Sequence, residues 1–123
     1  MTDYSQITIQ LGKIPSLNKF YAGPHWTFRS KEKTKWRAII MDQLDYDFTF
    51  ESCIITAKVN YRYDLDNCIM AIKFTQDALV EAGMIHDDNK KFIKAVRIEP
   101  ASDLPKDTSL IIVEGKIIKK NFS

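Results

Sequence analysis

A chain of 123 residues with 45% hydrophobic, 11% aromatic and 28% charged content can bury a core without disulfide staples, which excludes a wholly disordered protein. It holds no run of about 18 apolar residues, so no helix spans a membrane, and its two cysteines form no C-x-x-C or His/Cys cluster that would suggest zinc. The formal net charge of +2 says little about partners; the placement of the charges says more.

Met1-Thr2-Asp3-Tyr4 lacks the basic and apolar regions of a signal peptide, so the chain is expected in the cytosol, with Cys53 and Cys68 as buried thiols. Ile7, Ile9 and Leu11 alternate with Thr8 and Gln10, which predicts a first strand over 5–13, ended by Pro15-Ser16. The stretch from Leu17 to Trp26, with Asn18, Tyr21, Gly23 and Pro24, reads as a loop. A helix follows over 30–45, with Ser30 as N-cap and an apolar stripe of Trp36, Ile39, Ile40 and Leu44. Around its first turns stand Arg29, Lys31, Lys33, Lys35 and Arg37 against a single acidic Glu32.

From Ile55 to Tyr63 the odd positions are apolar or aromatic and the even ones polar, the period of a strand with one buried face. It runs into Asp64-Leu65-Asp66-Asn67. A second helix is predicted over 67–82, capped by Asp66 or Asn67, with Ile69, Ile72, Leu79 and Val80 inward and Gly83 as terminator. A polar turn over 85–89 contains Asp87-Asp88, and a basic cluster of Lys90, Lys91, Lys94 and Arg97 follows it. A strand over 91–99 stops at Pro100, 101–107 form a loop, and Leu110 to Val113 make a last apolar strand. The order β-α-β-α-β-β over residues 1–123 predicts one α+β domain, a mixed sheet packed against two main helices.

At a strand end, Asp64 and Asp66 project to the same side, about 7 Å apart along the chain. Two carboxylates so close repel unless a cation sits between them, and a hard oxygen set suits Mg²⁺. The following helix N-terminus also favours negative charge there. A plainer reading makes these acids caps and turn residues, and the basic residues solvated faces. Spacing alone leaves both readings open.

The run Asp64-Leu65-Asp66-Asn67, then Asp77-Ala78-Leu79, Ala82-Gly83 and Asp87-Asp88, resembles the signature of the RusA-type Holliday junction resolvases. Pro15-Ser16-Leu17-Asn18-Lys19-Phe20-Tyr21 resembles that family's Pro-Ser-x-Asn stretch, followed by a basic residue and an aromatic. The match extends from the first strand to the strand after Asp88. It implies a homodimeric, Mg²⁺-dependent endonuclease that nicks branched DNA, serving recombination or repair in a bacterium or its phage. Asp64, Asp66 and Asp88 take the places of the metal ligands, and Asp87 that of the first aspartate of the pair. Lys73, four residues before the Asp77 of the DAL triplet, takes the place of a catalytic lysine.

Two departures from the pattern bear on chemistry. Three extra residues lie between Asn67 and Asp77, so Met70 occupies the place four after Asp66 where the family also has its lysine. A helix continuous from residue 67 would displace Lys73 by about 10 Å from Asp66 and leave it to pair with Asp77. A non-helical lead-in, with the regular helix starting after about residue 69, would restore its approach, and this is the expectation. Upstream, a basic run of the family is replaced by Tyr61-Arg62-Tyr63. Phosphate contacts are therefore expected from Lys31, Lys33, Lys35, Arg37, Lys58 and Arg62, with aromatic help from Tyr61 or Tyr63. His86 stands beside the acidic pair but is a poor ligand for Mg²⁺, which prefers oxygen. A DNA-binding module of the same fold with weak or no catalysis, and a nuclease acting on other branched or flapped DNA, are the rival expectations.

Overall fold

Alternating apolar residues build one four-stranded sheet in the computed structural model, which describes residues 3–22 and 26–119. Its strands are β1 (Tyr4–Leu11), β2 (Phe48–Asn60), β3 (Ile93–Pro100) and β4 (Thr108–Lys119), in the order β1-β4-β2-β3. β4 runs antiparallel to β1 and β2, and β3 runs parallel to β2, so the sheet is mixed. One face is closed by Ile7, Ile9, Cys53, Ile55, Ala57, Ile111 and Val113, all at most 2% exposed. Fully burying an aliphatic side chain of this size is worth about 1.5–3 kcal/mol, so this face carries much of the stability.

Three helices and a 3₁₀ turn accompany the sheet: α1 (Leu17–Tyr21), α2 (Trp26–Met41), the 3₁₀ turn Leu65–Cys68 and α3 (Ile69–Glu81). The main two are α2 and α3. Trp36 and Ile40 of α2 and Met70, Phe74 and Ala78 of α3 enter the same core cluster as the buried strand residues. The fold is α+β, and among the described residues no helix is long and apolar enough to cross a membrane.

Several boundaries differ from the sequence expectation, each for a local reason. The stretch 17–21, read as loop, is helical: Ser16 is its cap, its Oγ accepting the Lys19 N–H at 3.1 Å. Residues 23–25 of that expected loop lie outside the described residues. α2 begins at Trp26, so Ser30 lies inside the helix rather than at its cap, and it ends at Met41. Beyond that end, Gln43 turns its amide to the free edge of β1. Its Oε1 accepts the Gln10 N–H and its Nε2 donates to the Gln10 carbonyl, each at 2.8 Å.

β2 begins well before Ile55 because a bulge between Phe50 and Ser52 switches the buried parity from even to odd. The sequence therefore hides the Phe48 and Phe50 half of the strand. Gly115 lies opposite this bulge, where a Cβ would stand 2.0 Å from the Ser52 carbonyl oxygen. β2 also ends earlier, at Asn60. Asp64 and Asp66 are thus not on a strand end, and the period-2 argument for their shared side does not apply.

The regular helix after them begins at Ile69, following the 3₁₀ turn, as the lead-in expectation required. Neither Asp66 nor Asn67 caps it. Its C-terminus closes as expected on Gly83, with φ 73°: the Gly83 N–H reaches the Val80 carbonyl at 3.1 Å and the Met84 N–H that of Leu79 at 2.8 Å. β3 starts at Ile93 and β4 extends from Thr108 to Lys119, far beyond the apolar run that announced it.

Candidate active site

The Asp64–Cys68 turn is held from beneath rather than by its own carboxylates. Asp64 has the extended backbone of a cap residue, but its side chain makes no cap hydrogen bond, and Asp66 lies within the 3₁₀ turn. The buried Cys68 thiol lies 3.5 Å from the Asp64 carbonyl and 3.9 Å from that of Tyr63. Burial, with smaller contributions from Asp66 and Asp64, pushes that thiol up to about 11, so it stays protonated and can donate. Both carboxylates are exposed, oxygen-rich and unengaged by hydrogen bonds or ion pairs among the described residues. Such hard anionic donors suit Mg²⁺ in kind and charge.

Asp87 and Asp88 differ in use. The Asp87 carboxylate ties its own turn, accepting the Asp88 N–H at 2.8 Å and the Asn89 side-chain amide at 3.3 Å. The Asp88 side chain instead borders a cavity of about 170 Å³. Lys73 and Asp77 of α3, Lys33 of α2 and Tyr21 of α1 border the same cavity. Met70, Lys73 and Asp77 share a stripe of α3 at helical spacing, and Asp66 precedes Met70 by four residues. Burial is the largest influence raising the Asp77 carboxyl above its ordinary value; Lys33 opposes it, Asp88 adds to it, and Lys73 opposes it. The cavity therefore gathers two carboxylates and two ammonium groups.

The structure brings together Lys73 and Asp88, but not all of the expected set. Among the described residues, no group of three or more His, Cys, Asp or Glu side chains stands close enough to hold one metal ion. Asp64 and Asp66 occupy the lead-in turn and Asp88 the cavity. The basic stretch also divides. All four are exposed, but Arg37 pairs with Glu81 at 3.4 Å and Lys33 borders the cavity with Asp77, whereas Lys31 and Lys35 share the other face of α2, Lys35 lying over the Trp36 ring at 5.0 Å. Lys58 belongs to the opposite parity of β2 from Ala57 and Val59, which puts it on the sheet face away from the helices, and Arg62 is exposed in the turn beyond β2.

Tyr61 and Tyr63 are structural clamps rather than free aromatic contacts. Their rings stack with centroids 5.3 Å apart. The Tyr61 hydroxyl donates to the Gly12 carbonyl at 2.5 Å, and the Tyr63 hydroxyl donates to that of Ile14, tying the end of β2 to the segment before α1. His86 packs on Phe92 with ring centroids 5.2 Å apart. Sequence reading did not place Tyr21 among the site residues and took Lys33 only as a phosphate contact, not as a neighbour of Lys73 and Asp88 at this cavity. The spacing of Met70, Lys73 and Asp77 signalled one face of a helix, but nothing in the chain order shows which residues from α1 and α2 oppose that face. Compared with known proteins, the chain matches no family model and no curated protein.

Proposed function

We propose that this chain is a Mg²⁺-dependent endonuclease that cuts branched DNA, four-way junctions included, by hydrolysing phosphodiester bonds. The observation that carries the reading is the meeting of Lys73 and Asp88, from separate elements, at one cavity bordered by α3, the helix that follows the Asp64–Asp66 turn. The ordered resemblance from Asp64 to Asp88 supports it. Asp64 and Asp66 would be the metal's donors on the turn, and Asp88, which among the described residues does not form one group with them, would have to approach them to join. The metal's chemistry is to activate water and neutralise charge on the phosphate. Lys73 donates to a phosphate oxygen as negative charge grows there, and the exposed Lys31 and Lys35 attract the DNA backbone. Asp87 keeps the Asp88 turn in place. A homodimer would present two such sites to a junction, and light scattering of the purified chain tests that state. Cytosolic work in recombination or repair completes the reading.

A second reading is a branched-DNA-binding module with weak or no catalysis. The separation of the three carboxylates supports it. Incubating labelled four-way junction and linear duplex with the chain, with and without Mg²⁺, separates the two. The nuclease reading expects nicks in the junction only with Mg²⁺. Binding without nicks at any Mg²⁺ concentration would favour the module.

A further inference from the structure

Tyr21 is the last residue of α1, and it is 52% exposed although it borders the cavity of Lys33, Lys73, Asp77 and Asp88. Its position is fixed from behind. The Phe20 ring meets it edge-on at 4.9 Å, and Phe20, 1% exposed, is itself locked edge-on against Phe74 of α3 at 5.6 Å. An exposed aromatic on a rigid aromatic base, beside two ammonium groups that face the carboxylates of Asp77 and Asp88 across the cavity, has the elements of a nucleotide subsite: a π-face for a base and cations for its phosphate. Tyr61 and Tyr63 do not supply that face, since their rings stack on each other and their hydroxyls are engaged.

We infer that the cavity takes one unpaired nucleotide of a branched or single-stranded DNA, its base stacked on Tyr21 and its phosphate between Lys33 and Lys73. The inference rests on the DNA-processing reading above and names how the site selects a branch over a duplex. A base in intact duplex is already stacked on both sides and cannot lie on the ring. An unpaired base at a branch point can. Lys33 is thereby a substrate-contacting residue, distinct from Lys31 and Lys35, whose attraction for DNA is sequence- and structure-independent.

The test uses the full chain without divalent cation and a four-way junction carrying 2-aminopurine either at the branch point or in the middle of one arm. Binding is expected to change the fluorescence of the branch-point probe and leave the arm probe unaffected. Tyr21→Leu should abolish that change and weaken junction binding about 10- to 100-fold, the scale of one lost base–aromatic stack. Tyr21→Phe should retain both. Lys33→Gln should lower the slope of log K against log salt by about 1 unit, with the branch-point signal kept. Tyr21→Leu that binds and signals like the parent chain overturns the subsite, and if the parent still nicks the junction the nuclease reading stands. A parent chain that binds no DNA overturns both. Circular dichroism on each variant guards against misfolding, and should Tyr21→Leu not fold, Tyr21→Ser gives the same reading.

Discussion

At the scale of single residues, neighbouring acids divide their tasks by what their oxygens already hold. Asp87 is consumed by its own turn, and Asp88 is turned to the cavity. Asp64 and Asp66 stand exposed on a turn fixed through backbone contacts, so replacing their carboxylates removes charge without removing structure. Asp64→Asn and Asp66→Asn are each expected to abolish Mg²⁺-dependent nicking while the melting temperature and junction binding stay near those of the parent. Nicking that survives in both would remove these residues from the metal site. Lys73 carries a separate expectation. Because α3 starts at Ile69, Lys73 lies one turn into the helix, exposed, and forms no ion pair with Asp77 within 4.0 Å among the described residues. Lys73→Ala should therefore cost little stability and slow nicking about 100-fold or more, as the loss of one transition-state donor does. Single-turnover rates at saturating protein measure this, and a near-parental rate would make Lys73 an ordinary helix residue.

Elements show why the basic segment needs to be taken apart. On α2, Lys31 and Lys35 share one face and Lys33 and Arg37 another, and the second face meets Asp77 and Glu81 of α3. Lys31→Ala with Lys35→Ala should lower the salt slope of DNA binding by about 2 units, whereas Arg37→Ala, already paired, should lower it by less. Titrations across a range of salt decide between them, and equal slopes for all would return the segment to a solvated face. A different element carries a stability prediction. At Gly115 a Cβ would meet backbone of β2, which cannot swing aside as a side chain can. Gly115→Ala should destabilise by about 3 kcal/mol or more, the upper end for one substitution, read from urea unfolding. The same bulge marks what the sequence could and could not reveal. Strict alternation exposed β1 and the second half of β2, the Lys73 spacing argument placed the start of α3, and Gly83 placed its end. The half of β2 before the bulge, the cap role of Ser16 and the partners facing α3 depend on long-range pairing, which no local pattern encodes. The acids were legible as a set, but their separation in space was not, because β2 stops at Asn60 and a 3₁₀ turn intervenes.

For the whole molecule, four weak acids have their ordinary titration held back by one packed core. Burial pushes Cys53 and Cys68 from 9.0 up to about 11 and Tyr61 from 10.0 up to about 12, and raises Tyr63 as well. Cys53 and Cys68 belong to the core cluster itself, and Tyr61 and Tyr63 pack against it. In each case the folded chain favours the protonated form more than the unfolded chain does. The resulting stability is fully present well below pH 9, where neither state ionises these groups. Above it the unfolded chain loses protons first, so stability falls as the pH rises from 9 through 11 to 12. Urea midpoints measured from pH 7 to 11.5 should be flat at first and then decline, with all optical probes moving together. Cys53→Ala and Cys68→Ala should flatten the decline between pH 9 and 10, where free thiols ionise and free phenols do not. Tyr61→Phe should lower the midpoint at neutral pH by removing the hydroxyl bonds to Gly12 and Ser109, and flatten the curve only above pH 10. A midpoint constant to pH 11.5 would show that these four groups titrate alike in the folded and unfolded chain, and that the core does not hold them as described.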